Sequence, residues 1–250
     1  MAIRHAAMKA TAETVELGGR HLPLAVKTHP RARRMTLKIE PGGRALSLTV
    51  PPGLPRHEID GFLRRHHDWL LEKISRFPEG GDTVVKIGAT VPVLGLDHRI
   101  IHSGNLRGLT KATTSQNERD PSVLCVSGPE DRAGMRVADY LKTVAKREIT
   151  ARVAVHAAAS GKKVASIAFK DTKTRWGSCS SKGNLNFSWR IAMAPPEIVD
   201  YLAAHEVAHL TEMNHGPRFW ALCRKLCPHT ESARAWLKEN GTVLHAVRFE

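Results

Sequence analysis

One stretch restricts this chain more than any other: Ala203-Ala204-His205-Glu206-Val207-Ala208-His209-Leu210. A helix advances about 100° per residue, so positions 205 and 209 project from one face about one turn apart. Ile198 and Leu202 lie on that face too, so the two histidines extend an apolar stripe and point into the fold. Any fold for this chain must therefore bury a helix that carries two imidazoles beside a carboxylate, and buried polar groups need partners. Two neutral imidazoles at this spacing can converge on one metal ion. Glu206, rotated roughly a quarter-turn away, can touch a metal-bound water but is not placed as a co-ligand. The plainer alternative is a pair of core histidines on an amphipathic helix, and it must also account for Glu206.

His215 supplies a third donor. Leu210 and Thr211 can finish the helix, Asn214 tolerates a left-handed turn, Gly216 allows any backbone angle and Pro217 starts a new helix. A histidine at such a break can swing back toward the first two, or it can simply cap the next helix. Three protein ligands plus water make the catalytic zinc arrangement, whereas four make the closed structural one. The expected cofactor is therefore one Zn2+ per chain, held by His205, His209 and His215, although another divalent transition metal suits the same donors. In that reading the metal lowers the pKa of a bound water and polarises the attacked carbonyl or phosphoryl oxygen. Glu206 takes the proton as general base and delivers it to the leaving group. Candidates for a further oxyanion donor are Arg175, Arg218 and His229, each with an ordinary structural role as its alternative. Arg175, Asn186 and Arg218 are the candidate substrate-binding residues.

Composition bounds the rest. Lys and Arg total 38 against 24 Asp and Glu in 250 residues, a net charge of +14. That balance allows polyanionic partners, nucleic acid and nucleotides among them, but the basic residues are spread along the chain and equally suit a solvated surface. The four cysteines form no C-x-x-C pair. Residues 1–19 contain Glu13 and Glu16 and no apolar h-region, and no apolar run approaches the ~18 residues of a membrane span. A reduced, cytoplasmic protein is expected.

Read in order, the pattern predicts an α+β chain: a β-rich part over 1–127 with one helix at about 56–76, then a helical and small-sheet metal-binding part over 128–250. Residues 1–12 read as a frayed start. Gly18-Gly19 separates strands at 14–17 and 21–26, and Pro41-Gly42-Gly43 separates strands at 35–40 and 45–50. Gly80-Gly81 closes the helical stretch. Short strands are expected at 83–87, 90–94, 98–102 and 123–126, with the polar run 110–120 as a loop. A long helix at about 130–158 leads to a pair of strands, 164–169 and 184–193. Pro195-Pro196-Glu197 then opens the histidine helix, with proline in the first turn and a carboxylate at the positive end of the dipole.

The run Arg175-Trp176-Gly177-Ser178-Cys179, then 184–190, Ala194-Pro195-Pro196-Glu197, His205-Glu206-x-x-His209 and Asn214-His215 through Phe219-Trp220 resembles the YgjP-like metal-dependent hydrolases. These are relatives of the SprT and WLM peptidases within the zincin-like group. The strongest likeness covers 172–221, and a weaker one reaches back through 33–50 and 56–76. The resemblance implies His205, His209 and His215 as ligands and Glu206 as catalyst. It also implies that the strand around 185–189 borders the cleft, where an extended peptide could add as a strand. The third-histidine offset matches the metzincin pattern, but Glu212 stands where that pattern has glycine.

Three functions follow for test. The first is a zinc metallopeptidase acting on extended polypeptide. The second is a metal-dependent nucleoside triphosphate pyrophosphatase or phosphohydrolase, which uses the positive charge, although most phosphoryl-transfer sites hold magnesium with carboxylates. The third is a nucleic-acid-associated protein with a structural metal, which needs a fourth protein ligand.

Overall fold

A computed structural model describes residues 11–77, 84–115, 122–172 and 175–250. The fold is α+β, and the chain divides into two compact units, Met1–Thr83 and Val84–Glu250. The division falls well before the 127/128 boundary expected from the sequence. The strands between 90 and 126 share one hydrophobic core with the C-terminal helices, so they belong to the second unit.

In the first unit β1 (Thr11–Leu17) and β2 (Arg20–Thr28) form the hairpin announced by Gly18-Gly19. Strands β3 (Thr36–Ile39) and β4 (Leu46–Val50) pair antiparallel across a 3-10 turn at Pro41–Gly43, and the sheet order is β1-β2-β4-β3. Leu46, Leu48 and Val50 are buried, as their alternation predicts. The single helix expected at 56–76 is two, α1 (Arg56–Arg65) and α2 (His67–Ile74), because the backbone leaves helical geometry at His66 (φ −103°, ψ 8°). Residues 1–10 and the Gly80-Gly81 stop lie outside the described residues, and β1 already begins at Thr11.

The second unit opens with a four-stranded sheet of order β5-β6-β8-β7, made of β5 (Thr90–Val93), β6 (Leu96–His102), β7 (Lys111–Thr113) and β8 (Ser122–Val126). The expected strand at 83–87 reduces to one bridge between Val84 and Arg248, with Thr83 outside the described residues. The expected loop at 110–120 contains β7, whose three residues gain ladder partners from Cys125 to Val123; residues 116–120 lie outside the described set. Helix α3 (Ala133–Ser160) ends on Gly161 in the left-handed region (φ 66°), a glycine C-cap.

A second sheet has three strands, β9 (Ser166–Lys170), β10 (Gly177–Cys179) and β11 (Asn184–Ser188), in the order β10-β11-β9. A 3-10 segment, Trp189–Met193, occupies the second half of the strand expected at 184–193 and leads into α4 (Pro196–Ala208). Helices α5 (Pro217–Leu226) and α6 (Thr230–Ala246) complete the unit. Helix α4 is buried almost all round: Ile198, Val199, Leu202, Ala203, Ala204, Val207 and Ala208 are each at most 3% exposed. A helix apolar on every side belongs in the middle of a core, and α4 sits there against α3, α5 and α6. Its polar side chains are therefore held on a rigid element.

Candidate metal centre

Helix α4 ends at His209, which keeps helical angles (φ −64°, ψ −18°) as the C-cap residue. The turn that follows is tied back by the Glu212 N–H donating to the Ala208 carbonyl at 3.0 Å, and Gly216 then opens α5. This reversal carries His215 over the end of α4. Its Nε2 stands 3.1 Å from Nε2 of His205. One donor atom from each of His205, His209 and His215 lies within 4.8 Å of the others.

The opposite ring nitrogens are engaged elsewhere. His209 Nδ1 donates to the Glu212 carbonyl at 3.1 Å, and His205 Nδ1 is 3.2 Å from the Tyr201 hydroxyl one turn earlier on α4. The carbonyl bond puts the His209 hydrogen on Nδ1 and leaves Nε2 as its lone-pair donor, and the Tyr201 hydroxyl orients the His205 ring. Burial lowers the pKa of His205 to about 3 and, with a smaller charge effect from His215, also lowers that of His209, so both rings are held neutral. Phe219 backs all three rings, at centroid distances of 4.9, 4.4 and 4.7 Å, and Trp220 stacks on His215 at 5.6 Å.

Glu206 is 3% exposed, its Oε2 has no hydrogen-bond partner among the described residues, and burial pushes its pKa up to about 8. Strand β10 passes directly over it. A Cβ on Gly177 would stand 2.7 Å from the Glu206 carboxyl carbon, and burial together with Glu206 raises the Cys179 thiol pKa. The donor set fits a divalent cation. Tetrahedral zinc with Zn–N bonds of about 2.0–2.1 Å separates its nitrogens by about 3.3 Å, close to the spacing of the His205 and His215 Nε2 atoms. A buried carboxylate oxygen without a partner among the described residues is unfavourable unless a positive charge or a proton lies beside it.

The other sequence candidates separate. Strand β11 is central, paired with β9 and β10, so it offers no free edge; the strand over Glu206 with one side unpaired among the described residues is β10. Register places Gly177 opposite Phe187 and Ser178 opposite Asn186. Side chains alternate across a sheet, so Asn186 lies on the face away from Glu206 and is not brought to the histidines. Arg175 is exposed, and its carbonyl accepts a hydrogen bond from Thr172 Oγ1 at 2.6 Å. Arg218 is exposed in the first turn of α5. His229 Nε2 donates to the Glu197 carbonyl at 2.9 Å, at the far end of α4 from His205, so it is not an oxyanion donor. Near it Asp200, Cys227 and His229 also approach one another. Asp200 accepts from His156 Nε2 at 2.8 Å; burial pushes its carboxyl up, and that bond together with the nearby His156, His229 and Arg152 charges outweighs burial and holds it below the usual range. This cluster joins α3 to α4.

Sequence reasoning passed over Tyr201 and Gly177. Tyr201 had a signal, since it precedes His205 by four residues and shares its face. Gly177 had none, because its reason is the space taken by Glu206 and not a positive φ.

Three imidazoles converging at the end of a buried helix, with a carboxylate between the first two in sequence, form the donor set of a metal-dependent hydrolase. The comparison with known families agrees, and it is more specific. The chain belongs to the YgjP-like family, whose metallopeptidase domain matches residues 33–240. Membership implies a divalent metal and peptide-bond hydrolysis at the level of the family. Among solved structures, the crystal structure of the metallopeptidase zymogen of Pyrococcus abyssi abylysin is similar over 36% of this chain and 93% of that one, with 19% identity and a TM-score of 0.33. A search of curated proteins gave no match.

Proposed function

We propose that this chain is a zinc-dependent peptidase acting on extended polypeptide, with Val84–Glu250 as its catalytic unit. His205, His209 and His215 would hold the metal through the ring nitrogens that face one another. Bound there, zinc supplies a water of lowered pKa and polarises the scissile carbonyl. The remaining work falls to the chain itself. Glu206 accepts a proton on its carboxylate, whose buried Oε2 has no hydrogen-bond partner among the described residues, and passes it to the leaving amine. In the metal-free protein burial alone holds this carboxyl near pKa 8; an adjacent cation lowers it into the range of a general base. Tyr201 and the Glu212 carbonyl orient the two helix histidines. Phe219, fully buried behind the rings, keeps water from that side.

The observation that carries the peptide reading is the position of β10. Its outer edge is unpaired among the described residues, and its first residue touches Glu206, so an extended chain laddered on that edge would pass its carbonyls across the three histidines. The nucleotide reading finds no comparable support, because the triad is imidazole and not the carboxylate set that magnesium-dependent phosphoryl transfer uses. No helix among the described residues is long and apolar enough to cross a membrane, and the four cysteines are free thiols, which suits the cytoplasm expected from the sequence.

The experiment is a side-by-side assay of the zinc-loaded protein on an unstructured protein substrate and on nucleoside triphosphates, with Glu206→Gln as the blank. Cleavage of the polypeptide, lost in Glu206→Gln with its zinc retained, is the expected result. Triphosphate hydrolysis without peptide cleavage would overturn the proposal.

A further inference from the structure

A cavity of about 330 Å³ opens beside His209. Its wall carries Lys162, Lys163 and Lys182, together with Ser180 and Ser181. The lysines arrive from two segments far apart in sequence, and local backbone chemistry brings them together. Gly161, left-handed at the end of α3, turns the chain so that the Lys162 N–H donates back to the Ala157 carbonyl at 3.1 Å. Gly183, also left-handed (φ 76°), closes the turn between β10 and β11, its N–H donating to the Ser180 carbonyl at 2.9 Å. The Ala165 N–H then donates to the Gly183 carbonyl at 2.9 Å and ties the two segments to each other.

Among the described residues none forms an ion pair with Lys162, Lys163 or Lys182, although ion pairs are frequent elsewhere on this unit. Three lysines on one wall give the cavity a positive lining, which favours an anion entering it. Two serine hydroxyls beside them can donate to the same anion. The cavity reaches His209 itself, so whatever fills it lies next to a residue proposed to bind metal.

Resting on the peptidase reading, we infer that this cavity is a substrate subsite that selects acidic residues, taking an Asp or Glu side chain of the bound polypeptide. The serines and Lys182 belong to the turn that directly follows β10, so a peptide laddered on β10 leads into the cavity. Charge at a partly exposed subsite acts mainly on binding and on encounter, and it weakens as salt screens it.

The test uses the full-length zinc-loaded protein and three peptides identical except for a block of Glu, Gln or Lys on one side of the scissile bond. The comparison variant is the triple substitution Lys162→Glu, Lys163→Glu and Lys182→Glu, checked for unchanged zinc content and melting temperature. Wild type should cleave the Glu peptide with a kcat/KM about tenfold above the Gln peptide, mostly through KM, with the Lys peptide lowest. Raising salt should shrink that ratio, and the triple variant should invert it. Equal kcat/KM for the three peptides, or a preference that survives the triple substitution, overturns the inference. If no peptide is cleaved at all, the peptidase reading fails separately, and fluorescence anisotropy of the labelled peptides on Glu206→Gln protein decides the subsite. Tighter binding of the Glu peptide that the triple substitution abolishes upholds it. Equal binding of all three peptides, or binding of inorganic triphosphate in their place, overturns it.

Discussion

Gly177 and Glu206 occupy adjoining space: a methyl group on the glycine would lie 2.7 Å from the glutamate's carboxyl carbon. The edge strand and the carboxylate thus share a contact that only a hydrogen atom fits. Gly177→Ala should push Glu206 off its position or push β10 outward. Peptide cleavage should fall at least about tenfold while zinc content stays at one per chain, since 1 Å of misplacement costs on the order of 10²-fold. Metal analysis beside steady-state kinetics checks it; wild-type turnover in this variant would mean that the contact is slack.

His215 is the residue whose role depends most on the turn after α4. Its Nε2 faces that of His205 at 3.1 Å, so His215→Ala should weaken zinc binding as severely as His209→Ala does. Competition against a chromophoric chelator measures both. Retention of zinc by His215→Ala at wild-type affinity would reduce it to a residue of the turn.

Tyr201 tests the supporting layer. Its hydroxyl meets His205 Nδ1 at 3.2 Å, and partners of this kind typically affect metal affinity by about 10–100-fold. Tyr201→Phe preserves the ring and removes the bond. Zinc affinity should drop by roughly tenfold, with melting of the metal-free protein little changed.

His245, outside the histidine triad, provides a pH signature of its own. It stacks on Trp176 at 4.3 Å, its Nδ1 is buried without a partner among the described residues, and burial, aided by the Arg190 charge, lowers its pKa to about 4. The folded value is depressed below the unfolded value of about 6.5, so the fold prefers the neutral ring. That stability is present above about pH 6.5 and is lost as pH falls toward 4. Denaturant unfolding at pH 7 and pH 5 should show a loss in wild type that His245→Phe, which keeps a stacked ring, reduces. Equal losses in the two proteins would remove His245 from the acid response.

Much of the histidine site was legible because its parts are local. His205, Glu206 and His209 follow from helical phase, and Pro217 marks the break at which His215 returns. The left-handed turn allowed at Asn214 is not used, and Gly216 is extended (φ −82°, ψ −177°), so neither residue's backbone freedom accounts for the reversal. The fold class was legible too, through alternation at 46–50 and the long pattern ending at Gly161. What stayed hidden depends on pairing between distant segments. Nothing near Leu185 says that β11 will have neighbours on both sides, and so the free edge was expected on the wrong strand. Three residues at 177–179 are too few to show alternation, and Lys111–Thr113 becomes a strand only through β8. The break at His66 and the assignment of 90–126 to the second unit likewise arise from packing and not from local propensity.

Strand β10 is three residues long. An added strand rises about 3.3 Å per residue, so the ladder it offers spans on the order of 10 Å. Backbone pairing over that distance reads only whether a chain is free to extend, and it is blind to side-chain identity. A folded helix or a strand already inside a sheet has spent the groups this edge would engage. Conformation would therefore decide which chains enter, and side-chain pockets beyond the edge would decide where along them the cut falls.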